Sequence, residues 1–165
     1  MSGTGDLPPN WAWREGVLDP DQAVVFDIDG VLADAAHRQR FITHGRPDWD
    51  AFFEACGEDP LIEELARLLD LLDRSLQVVL LTGRPLRVRP QTRSWLARFE
   101  VRHDLLVMRD RGDYAHVSVF KRRAVRSLRA FGFDLRLAFE DDPINRAMFE
   151  DEGVPCIYIH SGYYE

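Results

Sequence analysis

Lysine is almost missing from this chain. Lys121 is the only one among 165 residues, against 20 arginines. Where arginine serves for nearly every cation, a lone compact ammonium marks a place that needs that particular shape. Cysteine is also scarce. Cys56 and Cys156 stand far apart and in no metal-ligand spacing, which argues against both a disulfide scaffold and a zinc clip. His37, His44, His103, His116 and His160 show no ligand spacing either, and read as surface or packing residues. No apolar run is long enough to cross a bilayer. Met1 to Asn10 carries no basic segment followed by an apolar one, so no secretory signal is read there. With two free thiols, this predicts a cytoplasmic protein. No glycine-rich run ends in Gly-Lys-Ser/Thr, so the chain is not expected to be a P-loop kinase. There is no internal repeat and no low-complexity segment.

What is present fits one domain with a real core, since 45% of the residues are hydrophobic. The formal charge of −7 argues at first against a nucleic-acid partner. Its distribution is uneven: Arg84 to Arg129 holds 13 basic and 4 acidic residues. Such an asymmetry is expected either of a face suited to an anion or of several solvated helix faces.

Residues 1–20 read as a polar N-terminal arm that Trp11 and Trp13 pin to the body. From Ala23 to Phe26 the chain is continuously apolar and ends in Asp27-Ile28-Asp29, the pattern of a strand buried on both faces. Further strands are predicted at Val78–Thr82, Leu105–Met108, Leu135–Glu140 and Val154–Ile159. Helices are predicted at Leu61–Leu72, Thr92–Phe99, Val117–Phe131 and Pro143–Glu152. This alternation predicts an α/β domain over residues 21–165, a doubly wound (Rossmann-like) parallel sheet of about five strands. Residues 35–60 fit no core element and are expected to form a small cap or flap. Ligands of such sheets sit beyond the carboxyl ends of the strands, where Asp27, Asp29, Thr82, Glu140 and Asp141 fall.

Asp27 and Asp29 repel each other at the end of a buried strand unless a metal or a proton intervenes. Gly30 then allows a sharp turn that brings backbone close to a bound group. The segment Asp27-Ile28-Asp29-Gly30 resembles the first motif of the haloacid dehalogenase-like phosphatases. That resemblance implies Asp27 as a nucleophile forming an aspartyl-phosphate, and Asp29 as general acid and base. Leu80-Leu81-Thr82-Gly83-Arg84 resembles the second motif, with Thr82, Gly83 and Arg84 holding phosphoryl oxygens; alone, Thr-Gly-Arg could equally be a strand-end turn. Lys121 matches the third motif and would neutralise the cluster. Phe139-Glu140-Asp141-Asp142-Pro143 resembles the fourth, which implies a magnesium site of Asp27, the Asp29 backbone carbonyl and Asp141, with Glu140 in support. Asp142 ahead of Pro143 reads as a helix N-cap.

Within that superfamily the chain resembles the 3′-phosphatase domain of bacteriophage-type polynucleotide kinase/phosphatases. The similar pieces include Arg93-Ser94-Trp95-Leu96, Leu106-Val107-Met108-Arg109 and Gly153-Val154-Pro155-Cys156. The resemblance implies a DNA or RNA 3′-phosphate end as substrate, a place in nucleic-acid repair, and a separate kinase or ligase as partner. Two alternatives stay open. One is a phosphatase for a small metabolite or nucleotide, with cap residues Arg38 to Arg46 folded over the leaving group. The other is a non-catalytic module that binds nucleic-acid ends.

Overall fold

In a computed structural model of the chain, residues 6–165 are described; Met1 to Gly5 of the predicted arm lie outside them. The sheet has six strands in the order β1-β4-β3-β2-β5-β6. Strands β2 (Gln22–Phe26), β3 (Gln77–Pro85), β4 (Leu105–Arg109), β5 (Asp134–Glu140) and β6 (Cys156–Tyr158) are parallel. The sixth strand is one more than the sequence pattern predicts. It is β1 (Trp11–Trp13), which pairs antiparallel with β4 through Trp11↔Val107 and Trp13↔Leu105. Three residues are too few to show a strand period, but their aromatic side chains suit a half-covered edge.

Strand β2 sits at the centre because it is apolar on both faces: Ala23 to Phe26 are all buried, between β3 and β5. One layer of core joins β1 to α5 (Val117–Phe131) and α6 (Pro143–Asp151), with Phe120, Val125, Leu128 and Phe149 at its heart. The other packs α3 (Glu63–Leu71) and α4 (Arg89–Arg98) on the opposite face through Leu69, Trp95 and Leu96. Helix α5 begins where His116 accepts a hydrogen bond from the Ser118 N–H, and ends at Gly132, whose φ of 124° suits glycine. Its apolar positions repeat at helical spacing, and the same face carries Lys121 inward.

Residues 36–58 form short helical turns, among them α1 (Arg40–Thr43) and α2 (Trp49–Glu54). Asp48 caps α2 by accepting from the Ala51 N–H. The segment leans on the sheet's carboxyl end, where Arg87 binds Asp50 and Glu54. No helix among the described residues is long and apolar enough to cross a membrane.

Trp11 is buried against Phe131 and Phe133, with ring centroids 5.3 and 6.4 Å away. Replacing it by alanine removes a large core aromatic, so Trp11→Ala is expected to cost about 3–5 kcal/mol in urea unfolding. A loss below about 1 kcal/mol would show that β1 is not part of the cooperative core.

Candidate active site

Three strand ends, those of β2, β3 and β5, and helix α5 supply the site. Asp27 continues β2, its N–H bonded to the Phe139 carbonyl at 3.1 Å, and its carboxylate lies 3.1 Å from the Lys121 ammonium. Lys121 also donates to Glu140 at 2.7 Å. Glu140 closes β5, and its second oxygen accepts from the N–H groups of Asp141 and Asp142. Asp142 is turned to α6, whose Ile144 N–H it caps at 2.8 Å. Asp141 is different: both its carboxylate oxygens are buried and accept no hydrogen bond.

Buried orphan acceptors are costly, so this arrangement calls for a ligand. Oxygens of Asp27, Glu140 and Asp141 lie within 4.8 Å of one another. Against the single charge of Lys121 these three carboxylates leave two negative charges, the complement of one hard divalent cation. Gly30 supports the same reading. It turns at φ +80°, and a Cβ there would stand 2.6 Å from the Asp141 carboxyl carbon and 3.1 Å from the Ser161 Cβ. The donor set therefore fits magnesium. The cluster brings together Asp27, Asp141 and the supporting Glu140 of the expected set, while the Asp29 carboxylate turns to other partners.

Asp29 belongs to a second cluster. Arg84 donates to it from Nε and Nη2, the shortest contact being 2.6 Å, and Arg38 reaches it at 2.7 Å. Asp59, fully buried, accepts from both guanidiniums and from His37. Thr92 takes a further Arg84 N–H at 3.2 Å, and Trp95 donates to the Asp59 carbonyl. His37 aside, two carboxylates and two guanidiniums balance. The expectation that Arg84 grips the phosphoryl group needs correction. Arg84 has 0% exposure and its fork is engaged by Asp29 and Asp59, so it fixes the Asp29 carboxylate instead.

Thr82 ends the regular part of β3, where pairing with β4 breaks before Pro85↔Arg109. Its hydroxyl oxygen accepts the Arg84 N–H at 3.1 Å. Gly83 leaves room for α5: a Cβ there would lie 2.8 Å from the Val117 side chain. This close approach brings the start of α5, and with it Lys121, to the strand ends.

The two clusters differ in protonation. Burial pushes the Asp27 carboxyl up, with Glu140 adding to it against Lys121. Burial and the Asp27 charge push Asp141 up to about 8, and burial also raises Glu140. Burial favours a lower Lys121 pKa, but Asp27 and Glu140 outweigh it and hold the ammonium firmly charged. Asp29 goes the other way: burial is overcome by Arg84 and Arg38, which bring it down to about 2.

Arg38 and Asp59 escape sequence reasoning. Arg38 was expected at most to fold over a leaving group, yet it points inward and lies under the Phe52 ring at 4.4 Å. The C-terminal segment is a further surprise, since Tyr163 donates to Asp34 at 3.0 Å and lays Ser161 beside Gly30 and Asp141.

The phosphatase domain of polynucleotide kinase PNKP, as a family, matches residues 21–164. The chain belongs to that family. It is thus a phosphatase of the haloacid dehalogenase-like kind, similar to the PNKP phosphatase domain. A chain in the Pnkp1/Rnl/Hen1 RNA repair complex superposes with a TM-score of 0.70 at 24% identity, over 90% of this chain and 45% of that one. A second structure of the Pnkp1/Rnl/Hen1 complex gives 0.71 at 23%, over 90% and 49%. A haloacid dehalogenase-like hydrolase from Streptococcus pneumoniae gives 0.58 at 14%, over 87% and 86%. At these identities the likeness is one of fold. The chain spans about half the length of the repair-complex chains it matches.

The raised carboxyls fix the sign of a stability effect. Without a cation, the folded protein keeps on Asp141 a proton that the unfolded chain releases above the ordinary carboxylate range. Stability of the chelator-treated protein should therefore fall as pH rises from about 4 toward 8, by up to about tenfold in the folding constant per pH unit for one such proton. Asp29 acts oppositely, stabilising above the ordinary range and losing this as pH falls through about 2. Melting curves at several pH values should show the decline, with Asp141→Asn flattening it and magnesium reversing it in the parent protein only. A pH-independent melt without metal would contradict the buried, raised Asp141.

Proposed function

We propose that the chain is a magnesium-dependent phosphomonoesterase that removes 3′-phosphate from nucleic-acid ends through an aspartyl-phosphate on Asp27. The observation that carries the mechanism is the placement of Asp27: a largely buried carboxylate at the end of the central strand, 3.1 Å from a buried lysine and within reach of the Asp141 orphan oxygens. A carboxylate so placed can attack phosphorus, splitting a difficult hydrolysis into two displacements.

In the first displacement an Asp27 oxygen bonds to phosphorus as the bond to the ester oxygen breaks. Asp29 gives that leaving oxygen its proton. In the second, Asp29 takes a proton from water, whose oxygen bonds to phosphorus while the bond to Asp27 breaks and phosphate departs. The Arg38 and Arg84 pair holds Asp29 as a carboxylate, the form needed for the second step. For the first step its proton affinity must rise, and an arriving phosphate dianion has the right sign to raise it. Lys121 stays charged throughout and offsets negative charge as it builds on the phosphoryl oxygens. Thr82 and Gly83 bound the phosphate side of the site. When bound at Asp27, the Asp29 carbonyl and Asp141, with Glu140 behind them, magnesium would screen the anionic nucleophile from the anionic ester.

The substrate class rests on the family, on the likeness to a chain of an RNA repair complex, and on Arg109, Arg111 and Arg123 at and beyond the end of β4. A kinase or ligase acting on the same ends is the natural partner for an end-healing step, in keeping with the likeness to chains of the Pnkp1/Rnl/Hen1 complex.

Phosphate release from a 3′-phosphorylated oligonucleotide, compared with a 5′-phosphorylated one and a panel of small phosphomonoesters, tests this. Turnover should favour the 3′ end, require magnesium, and vanish in Asp27→Asn. Preference for small esters would leave the chemistry standing and refute the substrate. Tight end-binding without any turnover would favour the non-catalytic module.

A further inference from the structure

The loop between β4 and α5 displays an aromatic ring that none of the described residues covers. Tyr114 is 94% exposed, more than any other large apolar or aromatic side chain among the described residues. Its neighbours are fastened. Asp113 lies 3.7 Å from Arg109 and 3.8 Å from Arg123, and also accepts the Ala115 N–H. Asp113 donates its own N–H to the Asp110 carbonyl, and His116 caps α5. The ring is thus held out by a loop braced on both sides of it. Arg111, also exposed, has no ion-pair partner among the described residues.

Both stems of this loop abut the phosphate side of the site. Arg109 pairs in register with Pro85, directly after Thr82-Gly83-Arg84, and Val117 packs on Gly83. In the sheet β4 is two places from β2, hence about 10 Å from the strand that carries Asp27. A stacked strand covers that span in about three nucleotides.

We infer that Tyr114 is a stacking platform for a base a few nucleotides inward from the terminal phosphate, with Arg111 on a flanking phosphate of the same single strand. Stacking on a tyrosine face is indifferent to base identity, so the platform confers length preference without sequence preference. The inference rests on the nucleic-acid reading above.

The test is kcat/KM for 3′-phosphorylated substrates of one, three and six nucleotides with the parent enzyme, Tyr114→Phe and Tyr114→Ala. The parent should prefer the longer substrates. Tyr114→Ala should lose about 5- to 150-fold on three and six nucleotides, mainly through KM, with the smallest loss on the mononucleotide. Tyr114→Phe should retain the preference. Equal losses at every length would mean a structural role and overturn the platform, as would a Tyr114→Ala enzyme with parental length preference. A parent enzyme that prefers small esters would instead sink the substrate reading, and that outcome is visible without either variant.

Discussion

The constraint on which this structure turns is the cost of burying carboxylates. Asp27, Asp29, Asp59, Glu140 and Asp141 all lie within or against the carboxyl ends of β2, β3 and β5, and isolated charges there would not be tolerated. The fold meets this by dividing them. Asp29 and Asp59 are matched by Arg38 and Arg84 and form a closed, neutral group. Asp27, Glu140 and Asp141 share Lys121 and stay short of positive charge. One half is thereby internally satisfied and the other is short of a cation, and the two meet at the Asp27-Ile28-Asp29 segment.

The division follows from the sheet. Parallel strands put their ends in one plane, so residues up to 114 positions apart, Asp27 and Asp141, become neighbours. Gly30 lets the chain leave β2 tightly enough to make room for the Asp141 carboxylate. Gly83 does the equivalent for α5, which delivers Lys121 as a compact, flexible ammonium between two carboxylates. A planar guanidinium suits bidentate pairing better, which is the role arginine has in the other cluster.

Much of this was legible in the sequence. Helix α5 runs over the predicted Val117–Phe131, because its apolar spacing is clean and its glycine stop is strong. The continuous apolar strands and the carboxylates at their ends were equally plain. What escaped has a common physical cause. Arg38 and Asp59 come from a segment with no period, and their burial depends on partners far along the chain. Asp59 before Pro60 reads as a turn, and nothing local shows that four donors converge on it. Arg84 was visible but misdirected, since a strand-end arginine looks alike whether it faces a ligand or a buried carboxylate. The edge strand β1 was too short for alternation to declare itself.

The basic stretch from Arg84 to Arg129 also changes meaning in three dimensions. It is not a single face. Arg84 is internal, and Arg102 is consumed by carbonyls at the end of α3 and just beyond it. Arg87 answers Asp50 and Glu54, while Arg122 and Arg126 answer Glu152. Acidic residues outside the stretch therefore cancel much of its excess. What remains near the strand ends is a small group, Arg109, Arg111 and Arg123 around Asp113. A field of that extent reaches about a Debye length, roughly 8 Å at physiological salt. On the proposed reading, such a field would orient the last few phosphates of a strand while the acidic remainder of the protein repels the rest, favouring ends over the interior of a long polyanion.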